Sequence, residues 1–143
     1  GYEAFRELLE ALPERCGFAV VFVQHLDPEH ETMLPSLLSR ATRLPVRQVS
    51  DGVALEPDTV WIAPPKASVT IEGGMLRLRP LDATWGRHRT IDTFFHSLAE
   101  DRHQYAIGVL LSGTASDGVN GLKAIKAEGG TAIVQDERTA RFN

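Results

Sequence analysis

The chain has 143 residues, 43% hydrophobic and 24% charged, with a formal net charge of −4. That length suits one domain with a real core, and mild acidity without a basic block argues against nucleic acid or an anionic membrane as partner. No apolar run approaches the ~20 residues of a membrane span, no signal-peptide pattern opens the chain, and the single Cys16 excludes an internal disulfide and fits a reducing cytoplasm.

In chain order, residues 4–12 set Phe5, Leu8, Leu9 and Leu12 on one helical face. Residues 18–23 are apolar throughout, the pattern of a strand covered on both faces in a parallel sheet. Thr32 is placed to cap a helix carrying Leu34, Leu37, Leu38 and Ala41, with Pro35 tolerated in its first turn. A β-rich middle follows at residues 60–63, 69–71 and 75–78, where Glu72-Gly73-Gly74 reads as an antiparallel hairpin turn outside the crossover pattern. Thr90 precedes a helix with Ile91, Phe94, Phe95 and Leu98 inward, and residues 106–111 form a strand. The next helix, residues 119–128, buries Leu122 and Ile125 and stops at Gly129-Gly130 before a last strand at residues 131–134. Alternating helices and strands predict an α/β fold with a mainly parallel sheet. The opening helix should follow a strand, so the first strand is expected to be missing and the domain, residues 1–143, to be truncated at both ends.

The densest chemical signal is the stretch from Val109 to Leu122, an apolar strand running through Ser112, Gly113, Thr114, Ala115 and Ser116 to Asp117 and a helix start. Small residues let backbone N–H groups approach a ligand closely. The strand at residues 18–23 leads into Gln24 and His25. If both strands run parallel in one sheet, His25 and Asp117 share its carboxyl edge, where open α/β sheets place their sites. A histidine and an acid there are two of the three members of a hydrolytic triad. The plainer reading makes Asp117 a helix cap and His25 an ordinary strand-end residue. His25, Asp27, His30 and Glu31 lack metal-ligand spacing, so no metal is expected. Glycines 113, 118 and 121 fit neither nucleotide-binding glycine pattern, which leaves a nucleotide-binding domain the weakest reading and no cofactor expected.

Val23-Gln24-His25, the run Ile91-Asp92-Thr93-Phe94-Phe95 with Ser97-Leu98-Ala99, and the 109–122 loop together resemble the CheB-type chemotaxis methylesterases. Leu111 to Gly118 with Leu122 to Gly130 is similar to the subgroup fused to a receptor methyltransferase. The resemblance runs in order through the whole chain. It implies a three-layer α/β sandwich with an antiparallel hairpin, a cytoplasmic enzyme, and hydrolysis of γ-glutamyl methyl esters on chemoreceptor helices, with related glutamine deamidation. A fused or associated methyltransferase is the implied partner. The family's Ser-His-Asp triad places its histidine on His25 and its acid on Asp117, with Gly113, Thr114 and Ala115 forming the oxyanion loop. Thr114 stands where the family commonly has methionine, and a backbone donor survives that change. Gly1 resembles the last glycine of the Gly-x-Ser-x-Gly-Gly turn that holds the nucleophile. The serine is therefore expected upstream of residue 1, and this chain alone is expected to be inactive. The competing expectation is a non-catalytic receptor- or partner-binding module that keeps the esterase fold.

Overall fold

Thr59, Val60, Trp61 and Ile62 are all buried because both edges and both faces of their strand are occupied. The computed structural model describes residues 2–23, 34–81, 89–111 and 117–135. Within them run α1 (Tyr2–Ala11), β1 (Ala19–Phe22), α2 (Leu34–Ser39), β2 (Val46–Gln48), β3 (Val53–Ala54) and β4 (Thr59–Ile62). There follow β5 (Ala67–Glu72), β6 (Met75–Pro80), α3 (Thr90–Arg102), β7 (Ile107–Leu110), α4 (Val119–Ala127) and β8 (Thr131–Val134). Strand β4 lies between β1 and β2, parallel to both.

Successive side chains of a strand face opposite sides, and β4 feeds two cores. Val60 and Ile62 join Phe5 and Leu9 of α1 and Leu34 and Leu38 of α2. Trp61, with Ala63 beyond the strand, joins Phe94 and Phe95 of α3, Leu122 and Ile125 of α4, and Val69, Ile71 and Leu76 of the hairpin. A parallel sheet with a helical layer on one face and α3, α4 and the hairpin on the other is the expected α/β sandwich.

Strands β5 and β6 pair antiparallel, with β3 on the outer side of β6. Gly73 and Gly74 link them at φ 59° and 77°, the positive pair that a two-residue hairpin turn requires. Asp101, in the last turn of α3, accepts the Gly73 N–H at 2.5 Å and the Gly74 N–H at 3.1 Å. The Ile71 N–H donates to Ser97 Oγ at 3.0 Å, so the hairpin is fastened to the length of α3. Strands β7 and β8 are parallel and joined through α4. A Cβ on Gly108 would stand 2.6 Å from Ile125 Cδ1, so glycine there lets α4 lie close against β7.

Two expectations need adjustment. Strands β2 and β3 were not foreseen between residues 41 and 60, since Val46-Arg47-Gln48 has no apolar pattern and two of its three residues are exposed. Strand β1 is less covered than an all-apolar strand suggests, with one of its four residues buried. Among the described residues it pairs only with β4, and β7 pairs only with β8.

Candidate functional site

Beyond β7 the chain returns to the core at Asp117, just before α4. Gly118 is the N-cap of α4 at φ 105°. A Cβ at that position would stand 2.9 Å from Leu110 Cδ1 and 3.1 Å from Ile91 Cγ2. Glycine is thus required twice over, by conformation and by space. This tight turn directs Asp117 inward, and the residue is 3% exposed.

The Asp117 carboxylate caps a helix, but not the one it precedes. Its Oδ2 accepts the Ile91 N–H at 3.0 Å and its Oδ1 accepts the Asp92 N–H at 2.8 Å. These are the second and third N–H groups of α3, the pair a local N-cap side chain would take. Arg89 holds the N-cap position and makes no side-chain cap bond. Thr90, expected just ahead of the helix, is its first residue.

Helix α4 receives its cap in exchange. Asp92 is 5% exposed, and its Oδ1 accepts the Gly118 N–H at 2.9 Å and the Gly121 N–H at 2.7 Å. In a capping box two side chains of the same helix satisfy the N-cap and third N–H groups; here one oxygen from the neighbouring helix takes both. The helices can approach this closely because Gly121 lies flat on Phe95, with no room for a Cβ.

Two buried carboxylates side by side would repel strongly in a low-dielectric interior. Here each lies at a helix N-terminus, worth roughly half a positive charge. Arg89 adds a third positive contribution through its Nη1, 3.3 Å from Asp92 Oδ2. Four charge-assisted N–H bonds complete the compensation.

Of the residues singled out by sequence, the structure describes Asp117. His25, Gly113, Thr114 and Ala115 lie outside the described residues, as do Asp27, His30 and Glu31. The segments flanking them do converge. Val23, two residues before His25, packs in the same apolar cluster as Ile91, Phe94 and Leu110. Sequence reasoning passed over Asp92, which looks like an ordinary first-turn acid favoured by the helix dipole. The available signal was its spacing: Asp92 shares a stripe with Phe95 and Ala99, both buried, and an acid on an apolar stripe calls for a buried partner.

A family model described as CheB methylesterase matches residues 1–143. A Rhodobacter capsulatus protein named "Uncharacterized 104.1 kDa protein in hypE 3'region" is 46% identical over 110 residues, 77% of this chain and 11% of that protein. Protein-glutamate methylesterase/protein-glutamine glutaminase 1 of Carboxydothermus hydrogenoformans is 34% identical over 146 residues, 98% of this chain and 43% of that protein. The chain therefore spans less than half the length of either relative. The crystal structure of the Thermotoga maritima CheB methylesterase catalytic domain matches with a TM-score of 0.84 and 28% identity, over 97% of this chain and 76% of that one.

Proposed function

The chain belongs to the CheB methylesterase family, and from that membership we propose that it supplies the histidine and the acid of a Ser-His-Asp methylesterase. His25 is the general base, Asp117 its orienting acid, and the serine comes from a segment upstream of residue 1. The substrate class is the γ-glutamyl methyl ester on cytoplasmic chemoreceptor helices, with glutamine deamidation as the related acyl transfer. The observation that carries this reading is Asp117: a carboxylate 3% exposed, held by two backbone N–H groups at the carboxyl end of β7. Such a rigid anion suits the task of fixing one imidazole orientation.

Serine hydroxyl is a weak nucleophile at neutral pH and needs a base. His25 takes the serine proton as Oγ attacks the ester carbonyl, and returns it to the departing methoxide, releasing methanol. A water molecule, deprotonated by the same histidine, then attacks the acyl-enzyme, and the serine recovers its proton as the glutamate carboxylate leaves. Asp117 holds the imidazole and stabilises its cationic form. Backbone N–H groups of residues 113–115 receive the oxyanion, each donor contributing roughly 3 kcal/mol.

Several observations support this arrangement. The relatives named protein-glutamate methylesterase match nearly the whole chain. The strand leading to His25 and the helix capped by Asp117 share one apolar cluster. The Rhodobacter capsulatus relative is far longer than its matched stretch, which accords with work inside a longer chain; a receptor methyltransferase is the partner this reading assigns.

The test is methanol release from a methylated receptor helix, comparing residues 1–143 with a version extended upstream through the proposed strand and serine turn. Activity is expected only in the extended form, abolished by His25→Ala and reduced about 10³–10⁴-fold in kcat by Asp117→Asn. A folded extended form without activity would overturn the esterase reading in favour of a binding module.

A further inference from the structure

We propose that Asp92 is a positioning residue for the esterase reaction, acting through Asp117; the inference rests on the triad reading above. The two carboxylates form a closed ring of bonds. Asp117 Oδ1 accepts the backbone N–H of Asp92 at 2.8 Å, and Asp92 Oδ1 accepts the backbone N–H of Gly118 at 2.9 Å. That second N–H belongs to the peptide joining Asp117 to Gly118, so the side chain of Asp92 fixes the peptide plane from which Asp117 projects.

Gly118 makes such a fixture necessary. At φ 105° it occupies a region where glycine has more freedom than any other residue, and it adjoins the acid whose direction the chemistry needs. The same Oδ1 takes the Gly121 N–H at 2.7 Å, tying the peptide to the first turn of α4. Arg89 holds the other oxygen, with Nη1 3.3 Å from Oδ2. The acid's backbone is thereby referenced to two helices at once. Misplacing a catalytic group by about 1 Å is able to cost about 10²-fold in rate.

Reach, rather than charge, is what the geometry asks of Asp92. Asp92→Asn keeps an oxygen for both N–H groups and removes the charge. Asp92→Glu keeps the charge and displaces the oxygens by a methylene, and Asp92→Ala removes the acceptor. In the upstream-extended protein, Asp92→Ala and Asp92→Glu should each lower kcat about 10²-fold with KM changed less than about twofold. Asp92→Asn should lose no more than about threefold. In an Asp117→Asn background, Asp92→Glu should remove less than a further threefold, because its effect has already been spent. A merely structural role would lower the folded fraction and leave kcat per folded molecule unchanged.

Three results overturn the proposal: near-normal kcat in Asp92→Glu, an equal loss in Asp92→Asn, or a full additional loss in the Asp117→Asn background. Should Asp92→Ala fail to fold, Asp92→Glu carries the comparison. If Asp117→Asn itself leaves kcat intact, the triad reading fails and the inference falls with it. If Asp117→Asn is crippled while Asp92→Glu is active, the inference alone fails.

Discussion

Gly118 shows how one residue's conformation reaches the site. Replacing it with alanine forces a side chain into the left-handed region, at roughly 1–2 kcal/mol. It also drives a methyl group to within 2.9 Å of Leu110 and 3.1 Å of Ile91, an overpacking of roughly 1–3 kcal/mol. Gly118→Ala should therefore lose about 2–5 kcal/mol in urea unfolding. By contrast, Gly17→Ala, at φ 79° with nothing within 4 Å of the added Cβ, should lose no more than about 1–2 kcal/mol. Equal losses would show that the space around Gly118 relaxes. At this scale the sequence was half legible. Asp117 stood out as an acid after a small-residue loop, and its plainer reading as a helix cap is what its two backbone bonds show. Local capping rules directed it to α4, whereas its oxygens serve α3, about 25 residues upstream. No spacing rule reports an exchange of caps between two helices, and that exchange also hid Asp92.

Helix α3 is the element on which the site depends, and carboxylate-to-backbone bonds hold it at both ends. Asp117 takes N–H groups of its first turn, and Asp101 in its last turn takes those of Gly73 and Gly74. Asp101→Ala leaves two hairpin N–H groups without that acceptor, for a loss of about 1–2 kcal/mol, limited by the solvent access of the turn. Hydrogen exchange at Gly73 and Gly74 should accelerate while exchange at Ile91 and Asp92 stays slow. Loosening at both ends together would instead mean that α3 and the hairpin open as one unit. Elements with strong periodicity were legible in sequence. The helix expected at residues 4–12 is α1, the hairpin has the expected sense, and β8 has the expected limits. The missed strands β2 and β3 are short and on sheet edges, where pairing partners rather than side-chain pattern decide the conformation.

Across the whole molecule, the described sheets invite one more strand. Strand β1 pairs on one side with β4, β7 pairs on one side with β8, and all these pairs are parallel. Each of the two has a neighbouring large apolar residue in solvent: Phe18, just before β1, is 48% exposed, and Ile107 of β7 is 42% exposed. An apolar strand between β1 and β7 would cover both edges and merge the parallel sheets. It would also bring the turn that follows it to the carboxyl edge, beside the segments leading to His25 and Asp117. In that arrangement such a strand and the proposed nucleophile would belong to one segment. Four or five buried apolar side chains stabilise by roughly 1.5–3 kcal/mol each, offset by roughly 1–2 kcal/mol per residue of backbone ordering, leaving a few kcal/mol. For a chain of this size each kcal/mol moves Tm by about 2–4 °C. Extending the chain upstream should raise Tm by about 5–10 °C and slow hydrogen exchange at the amides of Ala19–Phe22 and Ile107–Leu110 that β4 and β8 leave unbonded. An unchanged Tm with fast exchange at both edges would show that the strand docks elsewhere, and would remove the structural reason for placing the serine beside Asp117.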